Sequence, residues 1–587
     1  MTSLILNISK IVAQAFADEG LEAGFGQVKT SDRPDLAQFQ CNGAMAAAKV
    51  AKLSPRAVAE KIVARLNTHD IFSKIEIAGP GFINLNLTDD ALGEYVNNLA
   101  CDPRLGVRDI GAGATVVLDY GGPNVAKAMH VGHLRASIIG DTLRRVLKFA
   151  GYDTIGDVHM GDWGTMMGMV ISELELRHPE WIYFQEDFSG PYPDESPVTI
   201  EDLAEIYPTA SGNSKSDPAR MALSHRATVE LQNKRPGYYA LWQKMVEVSI
   251  ASMKSNFAAL NVYFDLWLGE ASVHDVIAPM VEDLKAKHYA VMDDGALVVP
   301  LKRNEDTKEY PPLFLYKRDG AVMYSTTDLA TIVDRVEKFH PAKILYIVDQ
   351  RQNLHFEQVF RAAYLTGIVS PDVELTHVGH GTMNGPDGKP FKTRAGGVLR
   401  LEDLIALGLE KARQRLHEAG IDQHFSGDEL DDIARKVSVA AIKFADLQNN
   451  RMTDYIFDLD RLTSFEGKTG PYLLYQVVRI KSLHEKADYQ FDPSHRIIVD
   501  RSNRDLVLMM VEWPQVLEAA TRDYAPHFLC DYVYKLAQMF SSYYAATHVL
   551  SQEDVATKIS ALALSHLVLK HIEMILDLLG IYAPQRM

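Results

Sequence analysis

Apolar residues at Leu4, Ile5, Ile8, Ile11 and Val12 recur at the spacing of one helical face and predict that the chain opens with an amphipathic helix. A polar loop through Ser31-Asp32-Arg33-Pro34-Asp35 follows, and a second helical pattern runs from Ala44 to Leu66. From Lys74 to Leu87 apolar and polar residues alternate on either side of Gly79-Pro80-Gly81, the pattern of two short strands joined by a glycine turn. Residues 1–110 therefore read as a small α+β module in which no residue has a catalytic look.

From Thr115 the pattern becomes strand, glycine-rich turn, helix. Thr115 to Tyr120 is apolar and β-branched, Gly121-Gly122-Pro123-Asn124 interrupts it, and Val131 to Ala150 is helical. This is how a nucleotide-binding α/β fold begins. Further units follow: a strand over Asp153–His159, a helix over Thr327–Phe339, a strand over Lys343–Val348 and a helix over Phe356–Thr366, which together imply a parallel, Rossmann-like sheet across residues 111–400. Residues 179–240 are rich in Pro, Gly, Ser and acids and lack the βα alternation, so an insertion is expected around 179–260. Beyond Arg400 almost everything is helical: Leu401–Gly420, Asp428–Asp446, Gly470–Ala487, and Arg504 to the end. These divide into a helical linker over 401–460 and an all-α bundle over 461–587. The stretch Ile559–Ile581 carries Lys570, Glu573 and Asp577 and reads as an amphipathic helix rather than a membrane span.

The length of 587 residues fits about four structural units at ~150 residues each. Lys plus Arg number 60 against 77 Asp plus Glu, a formal charge of −17 in a chain that is 47% apolar, which excludes a disordered protein. The acidic balance argues against a dedicated nucleic-acid protein but leaves room for a local basic track, since phosphate binding is mostly charge neutralisation. Three cysteines, Cys41, Cys101 and Cys530, allow at most one disulfide, and no export signal is legible at the N-terminus; a reducing, cytoplasmic setting is expected.

Chemistry concentrates in two places. In the turn after the first parallel strand, His130 and His133 flank Gly132 three residues apart, on one face of a helix expected to begin near His130. A helix N-terminus attracts anions, and two imidazoles beside it can donate to phosphate oxygens, while Gly132 leaves room for a flat base. Taken alone, the same string suits a metal pair or two surface histidines; the strand before it and the helix after it favour the phosphate reading. The second place is Gly388-Lys389-Pro390-Phe391-Lys392-Thr393-Arg394, a basic, glycine-flanked loop suited to clamping a polyphosphate, or else simply a solvated loop. No P-loop, GxGxxG, CxxC or HExxH pattern is present, so a dinucleotide dehydrogenase and a bound metal lose their support.

An HxGH element followed about 260 residues later by a GKxxKxR element resembles the class I aminoacyl-tRNA synthetases, and the chain as a whole resembles the arginyl-tRNA synthetase family. The resemblance is carried by Pro123-Asn124-Val125-Ala126-Lys127, His159-Met160-Gly161-Asp162-Trp163-Gly164-Thr165, Val348-Asp349-Gln350-Arg351-Gln352-Asn353-Leu354-His355, Phe465-Glu466-Gly467-Lys468-Thr469-Gly470-Pro471-Tyr472 and Ala583-Pro584-Gln585-Arg586-Met587. It implies a two-step ligase that activates L-arginine with magnesium-bound ATP and transfers it to tRNA(Arg), with bound tRNA needed for activation. His130, His133 and Lys392 would be the catalytic groups, with Gly132, Gly381 and Lys389 joining them around ATP. Arginine would be held by Asp119, Asn124, Tyr324, Asp328 and Gln352, Asp328 supplying a carboxylate one turn after the phenol of Tyr324. Read without the family, Asp328 could instead be a helix N-cap following Thr326 and Thr327. Phe82 and Asn84 resemble residues that stack on and hydrogen-bond an unstacked tRNA base, though a strand phenylalanine is more often core. Tyr532, Tyr543, Tyr544, Arg586 and Met587 are loose candidates for the anticodon surface. Residues 401–460 would contact the tRNA stem, and no organic cofactor, resident metal or membrane is implied; a monomer is expected. Gly121 stands where the family often has serine, Met166 where glutamine is common, and Pro390-Phe391 replace the middle of the lysine loop. Three rivals share parts of this pattern: a nucleotidylyltransferase with the same phosphate site, which has no use for the helical C-terminal third; a non-catalytic tRNA-binding relative, which would have lost a histidine or the lysine loop; and another class I aminoacyl-tRNA synthetase, against which the Tyr324, Asp328 and Gln352 set argues for arginine.

Overall fold

The computed structural model describes residues 3–33, 35–307, 310–318, 320–385, 388–389 and 399–587. The N-terminal module packs α1 (Leu4–Asp18), α2 (Gly43–Ala51) and α3 (Pro55–Leu66) on one antiparallel sheet of β1 (Val28–Thr30), β2 (Phe39–Cys41), β3 (Phe72–Ala78) and β4 (Phe82–Leu87), ordered β1-β2-β4-β3. Its core of Ile8, Val12, Phe16, Ile62 and Leu85 is fully buried. The strands β1 and β2 flank the polar loop of residues 31–35; each is three residues long, too short for its alternation to register. Ser3 and Ser54 cap α1 and α3 by accepting from Leu6 N and Ala57 N, and Pro55 sits at the first turn, where its missing N–H costs nothing.

α4 (Asp89–Cys101) leads out of the module, and Asn97 on it is a buried tie to the C-terminal third: its amide donates to Ile497 O at 2.9 Å and accepts from Ile497 N at 2.8 Å. The central sheet holds β5 (Thr115–Asp119), β6 (Asp153–Asp157), β10 (Lys343–Tyr346) and β11 (Glu374–His377), all parallel, in the order β11-β10-β5-β6. Strand order reverses direction about β5, so the crevice at the C-terminal ends of β5 and β10 is a topological switch point, where ligands bind in such folds. α5 (Leu134–Phe149) starts later than the apolar pattern predicts: residues 131–133 form a 3-10 turn, because the side chains of His130 and His133 bond backbone N–H groups there.

The insertion is helical rather than irregular. After α6 (Thr165–Arg177) come α7 (Ile200–Ser216), α8 (Pro218–Gln232) and α9 (Pro236–Ala259), their polar composition reflecting exposed faces and capping residues such as Thr199 and Asp217. The chain rejoins the sheet through parallel bridges Asp157↔Leu266 and Met160↔Gly269, and Trp242 on α9 donates its Nε1–H to Asp162 O at 2.7 Å. α10 (His274–Ala286) and a small antiparallel sheet, β7 (Val291–Asp293), β8 (Ala296–Val299) and β9 (Leu313–Tyr316), were not foreseen; their apolar runs are three or four residues long and broken by polar turns. They pack on α11 (Tyr324–Phe339) and α12 (Asn353–Leu365) around Val281, Val299, Leu315 and Leu329. Asp328 is not an N-cap: α11 begins at Tyr324, so Asp328 lies in its second turn.

A two-residue pairing of β12 (Met383–Asn384) with β13 (Tyr455–Ile456) links the sheet domain to the helical third. That third comprises α13 (Leu401–Glu418), α14 (Gly427–Leu447), α15 (Leu459–Leu462), α16 (Gly470–Lys486), α17 (Arg504–Val511), α18 (Trp513–Arg522), α19 (His527–Thr547) and α20 (Val555–Leu578). α20 is long and apolar enough to cross a membrane, but 72% of its most apolar window is buried and it bears the fully buried His571 and Ser565. It is a central bundle helix packed nearly all round rather than an amphipathic surface one. Tyr532 and Tyr543 on α19 are likewise core residues, 4% and 8% exposed, with Tyr532 donating to Met509 O at 3.0 Å; α19 turns this face inward, so neither is a surface contact.

Candidate active site

The site grows from the end of β5. Asp119 closes the strand, and Gly121 (φ +89) and Gly122 (φ +51) turn the chain through the left-handed region. A β-carbon on Gly121 would sit 3.1 Å from the Phe264 ring, so this chain's packing at that turn suits glycine better than serine. Asn124 then pairs with Gly161 in a parallel bridge, bringing the Pro123–Lys127 run against the Met160–Trp163 run at the end of β6.

The two histidines are tightly arranged. Their ring centroids lie 4.0 Å apart. His130 Nδ1 accepts from Gly132 N at 3.0 Å, and His133 Nδ1 accepts from His130 N at 3.1 Å. With both Nδ1 atoms occupied as acceptors, the proton of each neutral ring belongs on Nε2, which makes Nε2–H the outward donor. A 3.2 Å contact of His133 Nδ1 with His130 O would require the other tautomer; the turn's N–H to Nδ1 bonds exclude it. Burial lowers the pKa of His130, with Lys127 adding to the effect. For His133 burial acts with His130 and Lys127 to bring it down to about 3, so both rings are uncharged donors at neutral pH.

The basic loop returns to this turn. Beyond it, His130 pairs with Arg400 in an antiparallel bridge, Val131 N donates to Leu399 O at 3.1 Å and Leu401 N to Met129 O at 3.0 Å. Before it, Gly385 N donates to Lys389 O at 2.8 Å, and Lys389 is exposed. Lys392 lies outside the described residues. Gly379 and Gly381 approach their neighbours closely: a β-carbon on Gly379 would lie 1.8 Å from Gln350 Oε1, and one on Gly381 2.6 Å from Asp454 Oδ1. Parallel pairing of Asp349 with His380 sets this glycine strand beside the Val348–His355 run.

On the other side of β5 the site is acidic. Arg335 of α11, 2% exposed, donates from Nη2 to Asp119 Oδ2 at 2.7 Å and to Asp157 Oδ2 at 2.8 Å, and lies over the Tyr346 ring at 5.4 Å. Asp119 therefore reaches the site already paired. Burial raises its pKa against the pull of Arg335; for Asp157 burial is outweighed by a hydrogen bond from His159 and the charge of Arg335, which hold it well below the usual range. Tyr324 and Asp328 meet the same partner, His355: the Tyr324 and His355 ring centroids are 4.6 Å apart, and Asp328 Oδ2 lies 2.5 Å from His355 Nε2. Gln352 sits three residues before His355, in an exposed 3-10 turn.

Two carboxylates here had no sequence warrant. Asp162 closes the motif after β6 and is 5% exposed; burial raises it to about 6 although Ala271 N donates to its Oδ1 at 2.9 Å. Glu270, brought in by the bridge of Gly269 to Met160, is pushed up to about 7 by burial first and by Asp162 next, with His159 opposing and Asp328 adding. Among the described residues no Lys or Arg pairs with it. Glu270 and Asp328 raise each other's cost of ionisation, so this edge of the site is acidic, with only the imidazoles of His159 and His355 set against it. The sole local signal for Glu270 was its place after the insertion, where the strand-end geometry resumes. Phe82 and Asn84 lie elsewhere, on β4 of the N-terminal module: Phe82 is half-buried, and Asn84 is 4% exposed with its Oδ1 accepting from Gln40 Nε2 at 2.9 Å. Among the described residues no cluster of three or more His, Cys, Asp or Glu is placed to hold a metal ion.

Residues 96–459 match the family model for the catalytic domain of class I tRNA synthetases (R), residues 473–587 that for the DALR anticodon binding domain, and residues 3–87 that for the arginyl tRNA synthetase N terminal domain. The arginine–tRNA ligase of Hyphomonas neptunium is 49% identical over 590 residues and that of Alkaliphilus oremlandii 47%, each alignment covering all of both chains. In fold the chain is similar to the arginyl-tRNA synthetase of Plasmodium falciparum, with a TM-score of 0.81 at 24% identity over the full length of both.

Proposed function

The chain belongs to the arginyl-tRNA synthetase family, of the class I fold, and from that premise we propose how its residues carry the reaction. It is an arginine–tRNA ligase: it joins L-arginine to tRNA(Arg) with ATP as the energy source. In the first step an oxygen of the arginine carboxylate attacks the α-phosphorus of ATP, which enters as its magnesium complex, and pyrophosphate leaves. In the second, the terminal adenosine hydroxyl of the tRNA attacks the activated carbonyl and AMP leaves.

Charge builds on phosphate oxygens in the first step, so what the site must supply is fixed donors. The Nε2–H groups of His130 and His133 fill that role as neutral dipoles that need no proton transfer, and Gly132 between them keeps the approach open. Lys389 and Lys392 would bring positive charge from the loop anchored beside the histidine turn. Gly381 would take the adenine side. Asp328 and Glu270 grip the guanidinium, Tyr324 and Gln352 complete its planar fit, and Asp119 with Asn124 orient the α-amino and carboxylate ends. Phe82 would meet the tRNA, with Asn84, buried and bonded to Gln40, behind it. Activation requires bound tRNA, and the enzyme works as a cytoplasmic monomer.

The observation that supports this reading is a two-imidazole donor turn after β5 together with an acidic group of Asp162, Glu270 and Asp328 in which, among the described residues, Glu270 has no Lys or Arg partner. The test is ATP–pyrophosphate exchange with each of the twenty amino acids, with and without total tRNA. Exchange with arginine alone, and only when tRNA is present, is expected. Exchange with another amino acid would overturn the specificity, and exchange without tRNA would overturn the requirement for it.

A further inference from the structure

The two halves of the nucleotide site, the histidine turn and the 379–385 segment, are about 250 residues apart, and among the described residues no hydrogen bond joins one directly to the other. What lies between them is a single segment, residues 446–457, at the end of α14. One edge of it holds the histidine turn. Arg135, two residues after His133, is 2% exposed; its Nε lies 3.1 Å from Asp446 Oδ2 and its Nη1 donates to Thr453 O at 2.9 Å. Its guanidinium covers the Tyr455 ring at 5.1 Å, and the Tyr455 hydroxyl donates to the same Asp446 Oδ2 at 2.9 Å.

The other edge holds the strand. Gly381 N donates to Arg451 O at 2.8 Å, Arg451 Nη1 to Gly379 O at 2.6 Å, and Thr382 N to Asp454 Oδ1 at 2.6 Å. Tyr455 N donates to Thr382 O at 3.1 Å and Phe457 N to Asn384 O at 2.9 Å, in the register Met383↔Tyr455. Tyr455 thus belongs to both edges: its backbone is zipped to the strand and its side chain to Arg135.

The energetics point away from a purely stabilising role. The Arg135–Asp446 pair is buried, 2% and 0% exposed at the side chains, and it is not fully satisfied: among the described residues Arg135 Nη2 and Asp446 Oδ1 have no hydrogen-bond partner. Burying two charges with unmet valences gains little over an apolar pair of the same volume, whereas it fixes one geometry sharply. A β-carbon at Gly381 would strike Asp454 Oδ1 and the Thr453 carbonyl, so the approach of strand to segment is also set at close quarters.

We propose that Arg135, Asp446 and Tyr455 are positioning residues for ATP, a strut that sets the histidine turn against the glycine strand. The inference rests on the assignment of both halves to ATP made above. A strut of this kind acts first on the nucleotide; the guanidinium end of the arginine site is built on other elements, α11 and the segment after the insertion, and only Asp119 and Asn124 share the turn after β5.

The test uses the full-length enzyme with tRNA(Arg) and arginine, measuring pyrophosphate exchange with separate KM values for ATP and arginine, active sites counted by single-turnover adenylate formation, and thermal unfolding. Tyr455→Phe removes the hydroxyl bond but keeps the ring; Arg135→Lys keeps the charge but loses the fork. Each is expected to weaken kcat/KM for ATP roughly tenfold, the scale of one hydrogen bond to a charged group, with the arginine KM within about twofold and the count of active sites unchanged. Lys443→Met is the control, since Lys443 joins the same two helices through Asp141 at 3.5 Å away from the strand; it should lower the unfolding temperature and leave the ATP KM alone. Unchanged ATP kinetics in Tyr455→Phe and Arg135→Lys would overturn the strut, as would equal shifts for both substrates or an ATP defect in Lys443→Met. Absence of arginine-dependent exchange in the unmodified enzyme would instead overturn the reading of the site beneath it.

Discussion

Glu270 gives the sharpest handle on the arginine pocket, through pH. Its carboxyl is held up at about 7 by burial and by the neighbouring Asp162, so near neutral pH the free enzyme carries it partly protonated. A guanidinium placed between Glu270 and Asp328 favours the ionised form and lowers that pKa, because an opposite charge at contact outweighs the desolvation that raised it. By linkage, arginine then binds the deprotonated enzyme, and the sign follows: affinity is full above pH 7 and falls as the pH drops below it. One pH unit below the free pKa costs about tenfold in affinity, or about 1.4 kcal/mol, provided the bound pKa lies lower still. The assay is the arginine KM in aminoacylation from pH 6 to 8 at saturating ATP and tRNA. The wild type should lose close to tenfold between pH 8 and pH 6, while His133, neutral throughout, adds no slope to the ATP KM. Glu270→Gln should bind arginine more weakly at pH 8 and show no such slope. An arginine KM that is level across this range in the wild type, or a slope that survives in Glu270→Gln, would refute the pairing of this carboxylate with the substrate cation.

The remaining expectations are more direct. Asp328→Ala should lower kcat/KM for arginine by about 2 to 5 kcal/mol, since it removes a partner carboxylate from a charged group; normal arginine kinetics in that variant would remove Asp328 from the pocket. Replacing His130 or His133 by alanine should depress kcat more than it raises the ATP KM, and His133 should contribute no ionisation to the kcat profile between pH 5 and 8; a protonation step in that range that His133→Ala abolishes would contradict its assignment as a neutral donor. Gly168→Ala, in the contact of α6 with α8, would place a β-carbon 2.1 Å from Thr228 Oγ1 and 2.3 Å from Ser224 O, and should cost about 1 to 3 kcal/mol in a denaturant titration; unchanged stability would show that the helices separate freely there.

How far the site could be read from the chain depended on whether its parts are local. The turn after β5 was legible because strand, glycines and both histidines lie within twenty residues, and Tyr324 with Asp328 because one helical turn separates them. Even there the local rule erred by a few residues: the helix was expected to begin at His130, yet the imidazoles take the first N–H groups for themselves and delay it to Leu134. Residues that act only through folding distance left no such trace. Arg335 joins Asp119 and Asp157 across 216 and 178 residues, and a buried arginine in an amphipathic helix looks like any other polar position. Glu270 is invisible for a different reason: the helical insertion stands between it and β6, and two isolated bridges, rather than a strand of any length, return it to the site. Among the described residues, moreover, no Lys or Arg pairs with its carboxylate, and a missing partner is a property that spacing along a sequence cannot display. The same logic separates the strand at Phe82, whose alternation in β4 was plain, from the tRNA contact proposed for it, which depends on what meets that sheet rather than on how the strand forms.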